Sequence, residues 1–328
     1  MSRSFGRRII DGNSIFETEK LETLTEEMAP LRFTIKIHTI DLNFQGVREA
    51  IASYLIEGPE GLILIETGPE SCRETLIDEI KALGFSPGDV AAVFVTHVHL
   101  DHSGGAGWWA SQGIPVHVHP KGAKHLIDPS RLEESARMVY GDRFDTLWGA
   151  LPPAPEEKVV IVNDGEVASC AGLEIRALDT PGHAFHHHCF AIGDVVFSGD
   201  SAGAKLPDFD YISVTSAPPQ FHLEHTLATI DRLAGEKFAA LYLTHFGKVE
   251  DPARHLADYR DAVELNAEFV RARLAEGMDP ESLQVAYAAF NLEQAFRLEV
   301  PHPDWQRYQV INGTDMCADG IRIYWEKQ

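Results

Sequence analysis

The sequence predicts an α/β fold in which two β-sheets pack together with helices outside. Three observations lead there. Strand-like and helical segments alternate, and the alternation then starts again. Several strand candidates are short and wholly apolar. No low-complexity linker or short-period repeat interrupts the order. Strands and helices that come in two rounds suit two layered sheets, each covered on its outer face.

Taken in order, residues 33–40 (FTIKIHTI) alternate as a strand does. Residues 49–57 and 62–66 flank Gly-Pro-Glu-Gly, a hairpin signal. Residues 71–84 carry Leu76, Ile77, Ile80 and Leu83 at helical spacing, with Gly84 as a stop. Residues 91–95 (AAVFV) are continuously apolar, as a strand buried on both faces requires. A short helix is expected over 104–112, a strand over 115–119 and helix over 131–148. The second round has strands at 159–162, 173–178, 187–193 and 194–199, a helix over 218–234 and a strand in 239–247. Two long helices are expected over 252–276 and 280–297, and IRIYWEK at the end reads as a further strand. One domain or two suits the length. The division expected is a core over 1–250, with 251–328 as a helical and strand elaboration packed on it.

Composition narrows the function. The 328 residues are 44% apolar and 24% charged, which is globular and excludes disorder, collagen and coiled coil. With 28 basic and 50 acidic residues the formal charge is −22. Such a surface repels nucleic acid and anionic membranes, so a small-molecule substrate is the expected partner. Four scattered cysteines form no C-x-x-C, and neither a disulfide framework nor a thiolate zinc site is expected. The basic N-terminal stretch is not followed by an apolar one, and no run is long enough to span a membrane. A cytoplasmic location is expected.

The chemistry lies in the 16 histidines. Thr96-His97-Val98-His99-Leu100-Asp101-His102 directly follows the apolar strand 91–95. In an extended segment His97, His99 and Asp101 would point one way, and His102 breaks that alternation. The loop could then serve two neighbouring centres. Imidazole with carboxylate suits zinc, iron or manganese. Three further segments lead from a strand into a polar candidate beside glycine: Thr180-Pro181-Gly182-His183, Ser198-Gly199-Asp200 and Thr244-His245-Phe246-Gly247.

Together THVHLDH, TPGH, SGD and THFG, in this order, resemble the metallo-β-lactamase-fold hydrolases, in particular the glyoxalase II and lactonase-like branch. The resemblance spans most of the chain. It implies an αββα sandwich of two mixed sheets with helices on both outer faces. It also implies two divalent metal ions, zinc first and iron or manganese as alternatives. Carried over by residue, His97, His99 and His183 would hold one metal, Asp101, His102 and His245 the other, and Asp200 would bridge them. The sequence departs at Glu66, where the family usually has aspartate. Two close cations lower the pKa of a bridging water and stabilise a developing oxyanion, and Asp101 can bind metal and take up a proton. Relatives with glutamate at the position of His99 host iron–oxygen redox chemistry, so histidine there favours hydrolysis.

The expected reaction is hydrolysis of a small ester-like bond: thioester, lactone or ester. Sulfatase and hydrolytic dehalogenase chemistry on the same site are alternatives, as is a metal-binding protein without activity. Gly199-Asp200-Ser201-Ala202-Gly203 also matches the serine-hydrolase elbow, but no helix start follows it, and Ser201 reads as a turn residue. Gly105 to Ala110 lies too far from its strand for a dinucleotide site. His117, His119, His222 and His225 read as structural, and His187 equally as a structural residue or as one behind or beside the site. Tyr211 is the tyrosine a lactonase would use if it reached. Trp108, Trp109, Phe185, Phe209 and Phe246 are pocket candidates. The aromatic tail, with His302 to Trp305 as an exposed contact segment, and the family resemblance lead to an expected homodimer.

Overall fold

The computed structural model describes residues 35–328. The N-terminal reading and residues 33–34 of the first strand lie outside them. The first sheet contains β1 (Lys36–Asp41), β2 (Ala52–Gly58), β3 (Gly61–Ile65), β4 (Val90–Phe94), β5 (Val116–Val118) and β6 (Val159–Ile161) in that spatial order. The first three strands are antiparallel, and the parallel pairs begin at β3–β4. The second sheet contains β7 (Val167–Cys170), β8 (Leu173–Asp179), β9 (His188–Ile192), β10 (Val195–Gly199), β11 (Ala240–Leu243) and β12 (Gly247–Val249). Only β10 and β11 pair in parallel there. Both sheets are mixed, as expected.

Alternation along each strand divides its side chains between two cores. On β2 to β4, Leu55, Leu64 and Val93 face outward and pack with Leu76 and Ile80 of α1 (Arg73–Ala82). The same cluster takes in α2 (Leu100–Ser103), α3 (Ala106–Ser111), α4 (Ala123–Ile127) and α6 (Phe144–Leu147), with α5 (Ser130–Tyr140) packed against it. On the second sheet Leu178, Val196 and Leu241 pack with α7 (Leu223–Glu236) and α8 (Pro252–Ala275). Between the sheets, Tyr54 meets Phe197 at 5.1 Å and Phe94 meets Phe190 at 5.1 Å. Edge and tilted ring contacts of this kind add to the burial they accompany.

The chain ends in α9 (Pro280–Arg297), α10 (His302–Ile311) and α11 (Thr314–Glu326). This corrects the expected final strand. Ile321 and Tyr324 are buried together with Cys317 and Ala318, a helical spacing that packs against α8 and α9. The short alternation of IRIY hid that longer period. Trp305 is also a correction. It is 5% exposed and sits in a cluster with Leu206, Tyr211 and Tyr308. Of residues 302–305, which start this helix, His302 and Pro303 are exposed and Trp305 packs inward, so only part of the expected exposed segment is exposed. The helix expected from 218 starts at Leu223, because His222 before it is still extended, at φ −142° and ψ 110°. Among the described residues no helix is long and apolar enough to cross a membrane.

One buried histidine of α8 couples the fold to pH. His255 Nε2–H donates to the Ala202 carbonyl at 2.8 Å, and burial lowers its pKa to about 4. The unfolded value is about 6.5. Between these values the unfolded chain binds the extra proton, so this contribution to stability is complete above pH 6.5 and is lost as pH falls through 4. Its size is roughly 3 kcal/mol. Urea unfolding of His255→Gln at pH 7 and pH 4.5 should show a smaller acid loss than wild type over the same interval. An equal loss would exclude His255 as a source.

Candidate metal centre

All seven predicted residues come to one edge of the sandwich. β8, β10 and β11 run in one direction, so the loops that follow them carry His183, Asp200 and His245 to the same edge. The loop after β4 brings His97 and His99, and α2 brings Asp101 and His102.

The residues divide into two groups. One donor atom each from His97, His99, His183 and Asp200 lies within 4.8 Å of the others, and the same holds for Asp101, His102 and His245. The expectation from alternation put Asp101 with His97 and His99. The structure places it elsewhere because the extended stretch ends at His99 and a helical turn begins at Leu100. That turn swings Asp101 and His102 together. Asp200 faces both groups. Its Oδ2 lies 3.2 Å from His183 Nε2, and its Oδ1 lies 3.4 Å from both His102 Nε2 and His245 Nε2. Asp101 Oδ2 is 3.3 Å from His245 Nε2 and 3.5 Å from His102 Nε2.

Hydrogen bonds behind the rings fix which nitrogen faces the centre. His183 Nδ1–H donates to the Thr215 carbonyl at 2.8 Å, and His245 Nδ1–H to the Ala50 carbonyl at 2.7 Å. His102 Nδ1–H donates to Glu66 Oε1 at 3.0 Å. Thr96 Oγ1 donates to Glu66 Oε1 at 2.6 Å, so it accepts from His97 Nδ1–H at 3.1 Å. All four rings therefore turn an Nε2 lone pair inward.

This donor set fits a cation by two tests. His97 Nε2 and His183 Nε2 each lie 2.9 Å from His99 Nδ1. One proton on His99 can satisfy one of them, not both. In the other group, His102 Nε2 and Asp200 Oδ1 are buried with no hydrogen-bond partner. Burial and the neighbouring imidazoles hold the pKa of His97 and His99 well below the histidine value, which keeps them neutral. Burial also disfavours a charged His102 and His245, but Asp101 and Asp200 more than reverse it and raise both. Burial would raise Asp101 and Asp200, yet the surrounding histidines hold both carboxyls below their usual value. The second group thus calls for positive charge. Protons on imidazole or a metal cation can supply it.

Sequence reasoning missed much of the support. Thr96 and Thr244 both bond Glu66, and each directly precedes a site histidine. Those two Thr-His pairs were the available signal. Thr215 had none: its carbonyl holds His183, and its hydroxyl donates to the Asp200 carbonyl at 2.6 Å. Thr215 is held in turn from α8 by Tyr259, and Asn312 holds the adjacent Val214.

Other candidates sort clearly. His187 Nε2 accepts from the Asp200 backbone N–H at 3.1 Å, so its Nδ1 carries the proton and faces Ser201 Oγ at 3.0 Å. A ring protonated on that side cannot act as base for Ser201, which argues against the serine-hydrolase reading. His117 stacks on Phe94 as a core group, and Trp109 is fully buried. Tyr211 is buried and donates to Asn291 Oδ1 at 3.0 Å, so it is committed away from any substrate. Phe246 and Pro207 line a cleft of about 220 Å³ whose other walls include Lys205, Asp210, Arg254 and His255. None of the seven residues lines it. Phe185 is 47% exposed.

A family model described as "Metallo-beta-lactamase superfamily" matches residues 46–245. The chain belongs to that superfamily. A metallo-beta-lactamase fold-containing protein of Sulfurisphaera tokodaii is 28% identical over 169 residues, covering 48% of this chain and 60% of that protein. An atrochrysone carboxyl ACP thioesterase of Aspergillus chevalieri is 29% identical over 153 residues, covering 45% of this chain and 39% of that protein. The match thus spans less than two thirds of either relative. A solved metallo-beta-lactamase family protein from Thermus thermophilus superposes with a TM-score of 0.64 at 20% identity, covering 89% of this chain and 93% of that one. These likenesses agree with the αββα sandwich.

Proposed function

We propose that the protein is a binuclear metal-dependent hydrolase of a small ester-like bond, with thioester, lactone and ester as the bonds to test. The observation that carries this is Asp200, whose two carboxylate oxygens face different donor groups, with Oδ1 buried and unpartnered. His97, His99 and His183 would hold one divalent cation and Asp101, His102 and His245 the other, with Asp200 shared. Zinc suits this nitrogen- and oxygen-rich, thiolate-free set, and so do iron and manganese. Such a pair supplies Lewis acidity and a hydroxide at neutral pH.

The chain's own residues do the rest. Glu66, Thr215 and the Ala50 carbonyl orient imidazoles by their outer nitrogens. Asp101 keeps 22% of its side chain exposed, so it is the carboxylate of the set most open to a substrate. It is held in its ionised form, so the carboxylate oxygen not turned to the cation can accept a proton at neutral pH. The Aspergillus relative is a thioesterase by name, which supports putting thioesters first. The high negative charge favours a small substrate over a polyanion.

The test is turnover of a panel of thioesters, lactones and aryl esters before and after chelation. Chelation should abolish turnover, and added metal should restore it. Ser201→Ala should keep chelator-sensitive turnover within about tenfold, since removing one buried hydroxyl bond costs on the order of 1 kcal/mol. Chelator-resistant turnover that vanishes in Ser201→Ala would refute the proposal.

A further inference from the structure

A third group of possible ligands stands at the same edge of the sandwich, apart from the seven. His119 directly follows β5 of the first sheet. Asp179 ends β8, and His188 begins β9, both in the second sheet. One donor atom of each lies within 4.8 Å of the other two. His119 Nε2 is 3.2 Å from Asp179 Oδ1, and His188 Nδ1 is 3.9 Å from the same oxygen. The two rings lie 4.4 Å apart.

An independent observation concerns His188. Its Nε2–H donates to the Val162 carbonyl at 3.0 Å, which leaves the lone pair on Nδ1. That Nδ1 is buried and has no hydrogen-bond partner, in a residue only 1% exposed. A buried acceptor without a donor is rare in native proteins and asks for a ligand or an ordered water. The carboxylate opposite is well placed. The Asp179 N–H donates to Asp164 Oδ1 at 2.8 Å, and its carbonyl accepts from Arg232 Nη1 at 2.8 Å. With its backbone held on both sides, the Asp179 side chain is 38% exposed, which gives an ion a way in.

We propose that His119, Asp179 and His188 form a separate divalent-cation site that ties the two sheets together. Two imidazoles and one carboxylate suit zinc, iron(II) or manganese(II), with water completing the shell on the exposed side. One rearrangement is required. His119 Nδ1 now accepts from the Lys121 N–H at 2.9 Å, so its proton sits on Nε2. On binding, that proton moves to Nδ1 and the Nε2 lone pair turns to the ion. The Lys121 N–H, now part-buried against Nδ1, must shift with the exposed turn that carries it. No net proton is gained or lost by the ring.

The experiment is elemental analysis of the full chain after loading with Zn²⁺ and removal of free metal. Wild type should hold one ion more per chain than His188→Ala or Asp179→Ala (three against two where the main centre is binuclear, as proposed above), with chelator-sensitive turnover retained. Asp179→Ala removes the carboxylate from a partly exposed side chain, so it serves if His188→Ala fails to fold. The same substitutions in Co²⁺-loaded protein should remove one component of the visible spectrum. The same metal count in wild type and both variants would overturn the proposal, whatever the total; a wild-type total of two with one in the variants would instead count against the binuclear reading of the main centre.

Discussion

Asp101→Ala is expected to lower kcat by about 10²- to 10⁴-fold, the usual contribution of a positioned acid–base group. The carboxylate lies 3.3 Å from His245 Nε2 and 3.5 Å from His102 Nε2, and is partly exposed. The histidines around it keep it ionised. It is therefore both a member of the second donor group and the group best placed to take a proton. Asp101→Asn separates these roles. Asparagine keeps an oxygen for a cation but cannot accept a proton at neutral pH. If proton uptake is the larger role, Asp101→Asn should retain most of its metal and still lose turnover at saturating substrate. Metal content measured beside steady-state kinetics checks this. A fully metal-loaded Asp101→Asn that turns over within a few-fold of wild type would exclude the proton-accepting role.

The strand skeleton was legible because buried strands carry apolar runs bounded by glycine and proline. Residues 91–95 led to β4, and Gly-Pro-Glu-Gly led to the β2–β3 hairpin. β7 and β12 were missed. Each is short, and their burial is incomplete, so neither shows an apolar run. The set of site residues was legible because histidine and aspartate recur at strand ends. Their grouping was not legible from alternation. A single turn of helix at Leu100 overrides the period-2 pattern and moves Asp101 to the other group. Contacts between distant segments left no local trace. Thr215 supports His183 and Asp200 only because the chain returns beside them. The C-terminal error has the same origin, since four apolar residues of IRIYWEK suit either period and packing against α8 and α9 decides it.

Glu66 carries the second large effect. It is fully buried at a backbone φ of +64°, a left-handed conformation that costs a non-glycine residue on the order of 1–3 kcal/mol. Such a conformation persists when the surroundings over-determine it, and here they do. Oε1 accepts from Thr96 Oγ1 at 2.6 Å, His102 Nδ1 at 3.0 Å and Thr244 Oγ1 at 3.2 Å. Oε2 accepts from the Thr96 N–H at 3.2 Å. One carboxylate thus joins the loops after β4 and β11 and orients His102. Glu66→Ala leaves these four donors buried without their acceptor. It should cost about 3–5 kcal/mol of stability and weaken metal binding about 10- to 100-fold. Glu66→Gln should cost less. Its amide oxygen can face the three donors on one side, while its NH₂ meets only the Thr96 N–H. Glu66→Asp, the residue usual in the family, should fall between them, because with the backbone fixed one methylene fewer leaves the carboxylate short of its donors. Denaturant unfolding and competition for metal check the order. Equal stability and equal metal affinity in Glu66→Ala would show that the imidazole of His102 needs no anchor, and that the left-handed turn at residue 66 is held by the backbone alone.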